Sequence, residues 1–499
     1  MKTEKENSHK TILKATGIFG FAQAMKMIVS IIGSKFVAIF LGPIGIGILG
    51  LLNNTVSIIG SLTSFGLGIT SVREVTLANG ENDAVKFSER VHVLHKLALI
   101  IGVFGAFLTL VFSKLLSIWT FGKPDYYYWF VLLSVNFIIS SSTTVRFSIM
   151  QGLRMVKSIA FSNVITSVLI TIFSVPIYYF FKLDGIVAVI LLSSCIGFLV
   201  NYYFTRKVQI LANSISFPQT IKQGIPLLKM GFLLSINIIF GQICSYIIKI
   251  YLNGNGTSVE ILGLFEVSSV ILLSYVGLVF NAMGTDFYPR LTAIQNDNFK
   301  VRELVNDQIE IGLLLITPAI TFLYFVAPIL VELLYTKEFL GVVLILKAAL
   351  FAVIIKAVIW PLGFLILAKG ETKLYFKQEV ISDIFLLVAT ISLYHFFGLI
   401  GIGIASFVQF SLYAFYILPV LKQKFAFTIR KDTYKIILIS MVIGLFNCLI
   451  VFIIDYPFAY YPLFLILLFS VLYSYKELDR RINIKFYFLN IKNKFKRHE

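Results

Sequence analysis

Apolar stretches about 20 residues long recur from one end of this chain to the other, and they limit its fold more than any other feature. About 20 residues is the length an α-helix needs to cross the hydrocarbon of a bilayer. With 58% hydrophobic and 14% charged residues and a mean hydropathy of +0.89, the chain cannot supply the largely polar surface a soluble domain requires. The sequence therefore predicts an all-α, polytopic membrane protein.

Spans are predicted at roughly 14–41, 44–70, 94–118, 127–150, 157–181, 185–205, 227–252, 258–284, 307–333, 340–368, 373–397 and 400–420, with two more near 435–454 and 457–475. That is about fourteen helices. The loops set their direction. If the first residues are cytoplasmic, the inner loops hold Arg73, Lys86, Arg90, Arg154, Arg206, Arg290, Lys300, Lys369 and Arg430, among others. The outer loops hold little beyond Lys123, Lys182 and Lys337, each beside an acid. That bias is the positive-inside rule, and it puts both termini of this multi-pass protein in the cytoplasm. Trp119, the run Tyr126 to Trp129, and Tyr456, Tyr460 and Tyr461 sit where an outer aromatic belt belongs.

The net charge of +18 would suggest nucleic acid in a soluble protein. Here the basic residues lie in short loops facing an anionic leaflet, so no nucleic-acid partner is expected. Cys195, Cys244 and Cys448 are far apart in apolar stretches and form neither a disulfide framework nor a metal set. No metal and no cofactor are expected. The N-terminus lacks a small-residue cleavage site and reads as a retained first helix. Gly45-Ile-Gly47-Ile-Leu-Gly50 matches a dinucleotide fingerprint by letters alone. No strand precedes it, so its glycines are expected to permit close helix packing. His92 and His95 have metal-like spacing without further ligands, which fits a solvated helix end. Nothing resembles a catalytic set, and the short outer loops argue against a polymerase or acyltransferase.

Two groups of six spans resemble each other at an offset of about 213–218 residues. Ile48 to Leu52 recurs as Ile261 to Phe265, and Lys123 with Asp125 recurs as Lys337 with Glu338. Met150 to Arg154 recurs as Ala368 to Thr372, and Phe180 to Ile186 as Phe396 to Ile402. Six is even, so the halves share one orientation and substrate is expected between them. The expected organisation is an N-lobe over roughly 1–210, a C-lobe over 211–425, two appended helices over 426–475 and a basic cytoplasmic tail over 476–499.

Charges deep in the membrane cost about 2.5–3.5 kcal/mol and demand a reason. Lys35, Lys249, Lys347 and Arg146 lie near helix ends, where interfacial anchoring and a functional role are both open. Lys26 is deeper and has no acid at matching depth on the second span. It suits a phosphate or pyrophosphate in a wet cavity, or a structural role. Lys35 lies level with Asn53 and Asn54 across the outer hairpin, but nine residues from Lys26 and thus on the opposite helix face. Lys356 and Asp383 lie at equal depth on neighbouring antiparallel helices. They are expected to pair, either as a buried structural pair or as a switch that opens during coupling. Glu379 shares the face of Asp383 at i, i+4.

The stretch Lys35 to Gly47, followed by Phe65 to Thr70, resembles the first two helices of Wzx-type O-antigen translocases. Leu334 to Phe339 and Leu365 to Gly370 resemble the second lobe of that family, and the enterobacterial-common-antigen flippases are nearest in pattern. The resemblance covers about residues 10 to 420. It implies two six-helix lobes around a cavity that alternates between leaflets, a transporter and not an enzyme. Its implied substrate is an undecaprenyl-pyrophosphate-linked glycan unit of lipopolysaccharide or similar surface polysaccharide, with membrane lipid, a coupling proton or sodium ion and a glycan polymerase as implied partners. The resemblance makes Lys26, Lys35 and Lys249 the substrate-binding candidates; Asn53 and Asn54 join them by their level with Lys35, and Lys356 and Asp383 are the candidates for coupling or gating by their depth. Lysines stand here where relatives often use arginines, which weakens bidentate grip on phosphate. A multidrug or cation antiporter of the same superfamily is the alternative.

Overall fold

The computed structural model describes residues 2–81, 83–211, 215–254 and 259–482. Every regular element among them is helical: α1 (Lys2–Ser64), α2 (Leu67–Gly80), α3 (Ala84–Val111), α4 (Ser113–Phe121), α5 (Tyr127–Gly152), α6 (Val156–Phe181), α7 (Gly185–Thr205) and α8 (Phe217–Asn253). They continue as α9 (Val259–Val270), α10 (Gly277–Ala293), α11 (Asn298–Leu334), α12 (Val342–Ala368), α13 (Thr372–Phe425), α14 (Lys431–Ile453) and α15 (Tyr460–Ile482). Most of the expected tail beyond residue 475 lies outside the described residues.

Ten stretches are long and apolar enough to cross a membrane. Three of them hold two helices in tandem. α1 turns at Gly42 (φ 60°, ψ −171°) and α13 at Gly398 (φ 57°, ψ −137°), while Val156–Thr205 folds back at Lys182 to Asp184. Only glycine enters the first two conformations cheaply. With α9 and α10, joined by a π-helical turn at Ile271–Tyr275, the described residues hold about fourteen spans.

The internal repeat is written in the backbone. Asp83 and Asp297, 214 residues apart, cap α3 and α11 in the same way: Val85 and Lys86, like Phe299 and Lys300, donate their main-chain N–H to the aspartate Oδ1. Arg154 and Gly370, 216 apart, both have positive φ. The turns around them match bond for bond, Met155 donating to Met150 as Glu371 does to Ile366, and Val156 to Arg154 as Thr372 does to Gly370. Lys182 (φ 48°) and Gly398 (φ 57°) are again 216 apart. The turn after Gly152 therefore aligns Arg154, not Gly152, with Gly370.

By compactness the chain forms two units, residues 1–263 with 334–336, and residues 264–333 with 337–499. The expected lobe boundary near residue 210 falls inside the first unit, and α8 packs on α1, α2 and α3. The first unit is centred on α3 and α5, where Val91, Leu94, Leu97, Val145 and Ile149 join Leu227 of α8 in one cluster. The second is built around α12, which is buried along most of its length against α13 and α14. There α14 and α15 are tied to α11 by charge. Arg430, just before α14, donates to Glu303 (2.7 Å), Asp307 (2.5 Å) and the buried Glu310 (2.9 Å), and Glu310 also accepts from Thr433 and from Arg481 (2.8 Å).

Candidate functional site

The candidate substrate residues lie on α1 and α8 of the first unit. Seven residues before the turn at Gly42, about 10 Å along the helix, Lys35 donates from Nζ to the main-chain oxygen of Tyr335. Tyr335 is buried, and it belongs to the short Leu334–Thr336 segment that packs with the first unit. So Lys35 is engaged by the protein in this conformation. Lys26 is exposed and has no partner among the described residues. The structure does not bring Lys26 and Lys35 together. Asn53 is exposed, whereas Asn54 is buried with its Nδ2 unpartnered among the described residues, and neither bonds Lys35.

On α8 a polar stripe recurs at three- and four-residue steps: Gln242, Tyr246, Lys249 and Asn253. Tyr246 meets the Thr120 hydroxyl at 2.8 Å and Asn253 donates to the Thr120 carbonyl at 3.1 Å. Lys249 is half-buried on this stripe, and the Gln242 Oε1 is buried without a donor among the described residues. Two of the four stripe residues, Tyr246 and the buried Asn253, are thus engaged by Thr120 of α4.

Two backbone crossings fix α1 in the first unit. α1 ends where Phe65 (φ 47°) and Gly66 (φ 66°) break the second span, which resumes as α2. A Cβ on Gly66 would lie 2.1 Å from the carbonyl oxygen of Gly231 on α8, so both glycines are required for the contact. Near the opposite end of that span a Cβ on Gly47 would lie 2.4 Å from the Val259 oxygen, and one on Gly263 1.9 Å from the Pro43 oxygen. The letter match around Gly45 is thus a close-packing device, as expected. Beside the Gly66–Gly231 crossing, α2, α3 and α8 line a polar cleft of about 350 Å³. Within it Arg90 meets the buried Glu74 (3.6 Å), Lys86 meets Glu81 (3.3 Å) and Gln223 donates to Glu89 (2.9 Å).

In the second unit the expected Lys356–Asp383 pair is not formed. The Lys356 ammonium lies 5.5 Å from the Phe280 ring centre and 5.8 Å from that of Phe410, and no ion pair joins it to Asp383 among the described residues. Equal depth fixes a height on a helix but not the side to which the long lysine chain turns, and two aromatic faces attract it. Around Asp383 on α13, Gln378 accepts from the Tyr413 hydroxyl (2.5 Å) and Gln409 donates to Ser382 (3.1 Å). No cluster of metal-ligating side chains occurs among the described residues. The sequence reading missed the Lys35–Tyr335 bond and the Gly66–Gly231 crossing. Phe65-Gly66-Leu-Gly68 hinted at the second, but nothing local announces the first.

A family model for polysaccharide biosynthesis proteins matches residues 36–344, more than half of the chain. The chain belongs to the polysaccharide biosynthesis protein family. Among solved structures it is similar to the lipid II flippase MurJ in an inward closed conformation, with a TM-score of 0.69 and 15% identity, over 94% of this chain and 99% of that one. It is also similar to an inward-facing multidrug resistance MATE family transporter of the MOP superfamily (TM-score 0.67, 15% identity, 82% of this chain and 96% of that one). A mutant of the Vibrio cholerae MATE transporter VcmN is matched at a TM-score of 0.56 and 16% identity, over 85% of this chain and 99% of that one. No curated protein matches significantly. This member of the polysaccharide biosynthesis family therefore has the fold of the MurJ and MATE structures, with multiple helices long and apolar enough to cross a membrane.

Proposed function

We propose that the protein is a flippase that moves an undecaprenyl-pyrophosphate-linked oligosaccharide, an O-antigen or similar surface-glycan unit, from the cytoplasmic to the periplasmic leaflet of the bacterial inner membrane. The observation that carries this reading is the family match together with the extent of the flippase likeness. The lipid II flippase covers 94% of the chain and the first MATE structure 82%, a difference of about 60 residues, or two spans. A fold that includes two extra helices favours a lipid-linked substrate over the antiporter reading.

In this reading both termini are cytoplasmic and the pyrophosphate is received by Lys26, Lys35 and Lys249 with Asn53 and Asn54 nearby. The substrate's lipid tail stays in the bilayer while the two halves alternate their access. Coupling to a proton or sodium ion falls to Asp383, with Lys356 as the neighbouring cation, and a glycan polymerase takes the product outside. Within the family the pattern of Lys35 to Gly47 points to the O-antigen and enterobacterial-common-antigen translocases. The antiporter alternative rests on the MATE likeness and needs acids of the kind Asp383 supplies.

The deciding experiment is a deletion strain whose undecaprenyl-linked lipids are extracted and assigned to a leaflet. Lipid-linked glycan accumulating on the cytoplasmic face, with surface polysaccharide lost, is the expected result. Normal intermediates and normal surface glycan, with raised drug sensitivity, would transfer the assignment to the antiporter.

A further inference from the structure

Most cytoplasmic cation clusters on this protein are balanced by its own acids. Lys86 pairs with Glu81, Arg90 with Glu74, Lys300 with Asp297, Lys424 with Glu371, Arg430 with Glu303, and Arg480 with Glu477. One cluster departs from this. At the inner ends of α5, α6 and α7 stand Arg146, Arg154, Lys157, Arg206 and Lys207, and between residues 127 and 211 the only acid is Asp184, on the outer side. No ion pair to any of the five occurs among the described residues.

Two of these arginines are held in place by rings. The Arg146 guanidinium lies 5.1 Å from the Phe198 ring centre and 4.6 Å from that of Tyr202, an i, i+4 pair on α7, and donates to the Thr205 hydroxyl at 3.3 Å. Its Nε is buried without an acceptor among the described residues. Arg206 lies 4.1 Å from the Tyr203 ring centre. Aromatic faces orient a guanidinium without consuming its N–H donors, and those not already bonded to Thr205 remain for the oxygens of a phosphate. Arg146 lies six residues before the inner end of α5, about 9 Å, and Tyr202, Tyr203 and Leu199 beside it are exposed to the surroundings of the span.

We infer that this face is a binding surface for the phosphate of an anionic phospholipid in the cytoplasmic leaflet. Arg146 and Arg206 grip the headgroup and the exposed face of α7 above them, through Leu199, takes an acyl chain. The charge argument selects the partner: an uncompensated cationic patch at headgroup depth is neutralised from outside the protein, and the cytoplasmic leaflet supplies the anions. The surface is separate from the substrate candidates on α1 and α8.

The test uses the full-length protein in detergent, delipidated and titrated with dioleoylphosphatidylglycerol or dioleoylphosphatidylcholine, bound lipid being counted by native mass spectrometry and stability by melting temperature. The wild type should retain phosphatidylglycerol in preference to phosphatidylcholine and melt higher with it. Arg206→Gln, an exposed change that leaves folding intact, should lower retained phosphatidylglycerol about threefold, and Arg146→Gln with Arg206→Gln should reduce it to the phosphatidylcholine level. Lys300→Gln, at a self-paired cluster, should change nothing. Full retention by the Arg206→Gln and double variants would overturn the proposal, as would an equal loss in Lys300→Gln. Displacement by inorganic phosphate would make it a free-phosphate site. Preferential uptake of undecaprenyl phosphate over phosphatidylglycerol would make it a loading site for substrate and overturn the phospholipid assignment.

Discussion

The Lys35 ammonium donates to the main-chain oxygen of Tyr335, three hundred residues further along the chain. A lysine expected to meet the substrate is thus occupied by the protein itself. A charged hydrogen bond of this kind is worth about 1.5–3 kcal/mol, so a competing pyrophosphate has to replace it. Lys35→Ala is expected to reduce surface-glycan export about tenfold or more at unchanged protein level, a loss of at least about 1.4 kcal/mol of transition-state stabilisation. Lys35→Arg should keep more activity, since it keeps charge and donors. Normal export by Lys35→Ala, measured as surface polysaccharide per transporter, would remove Lys35 from the site.

Gly66 and Gly231 meet backbone to backbone, and neither can carry a Cβ without displacing the other helix. Gly66→Ala and Gly231→Ala should each destabilise by about 2 kcal/mol or more, read as a lower melting temperature, through overpacking at both and through a side chain on a left-handed backbone at Gly66. Gly80 has open space around it, so Gly80→Ala is the control and should be neutral or slightly stabilising.

Arg430 joins three carboxylates of α11 to the start of α14. Removing one partner of a buried ion network typically costs about 3–5 kcal/mol because the remaining charges stay desolvated. Arg430 is itself half-exposed, which brings the expectation for Arg430→Ala down to about 2 kcal/mol. Restoration toward wild-type stability in the Arg430→Met, Glu310→Gln double variant, read as melting temperature, would identify the stranded Glu310 as the cause.

The spans and their number were legible because each is local, about 20 apolar residues making a span whatever surrounds it, and the repeat because like residues recur in order at one offset. The turn glycines Gly42 and Gly398 were legible as span boundaries for the same reason. The exact register of the repeat was not. Matching letters pairs Gly152 with Gly370, while the backbone pairs Arg154 with Gly370, since a hydrogen-bonded turn fixes φ and not the residue name. Long-range polar partners were also out of reach. Nothing near Lys35 in the sequence specifies the Tyr335 carbonyl, and α8 gave no sign that it packs with the first unit.

That register yields a prediction of its own. Arg154 and Lys182 occupy positive φ where their repeat counterparts are glycines or glycine-compatible. Lys182→Gly should therefore stabilise, by about 0.5–1 kcal/mol, because the strain of a side chain at that backbone is relieved. Gly398→Ala should destabilise by a similar or larger amount. A lower melting temperature for Lys182→Gly would show that the lysine side chain contributes more than its backbone costs.

Lys356 and Asp383 provide the sharpest test of coupling, because they sit at one depth and yet do not touch. In this conformation the lysine faces Phe280 and Phe410. If the two residues never meet, substitution at each should act independently, and the stability effects of Lys356→Met and Asp383→Asn should add within about 0.5 kcal/mol. If transport passes through a state in which the pair closes, export should show what stability in the resting state does not. We expect the transport cycle to use that closure: each single variant should lose export about tenfold, and the double variant should lose little more than either single one, a coupling of at least about 1 kcal/mol in the activity cycle. Additive losses in export as well as stability would mean that the aromatic seat of Lys356 is its only role. Asp383 would then bind the coupling ion alone, and sodium or proton dependence should disappear in Asp383→Asn but persist in Lys356→Met.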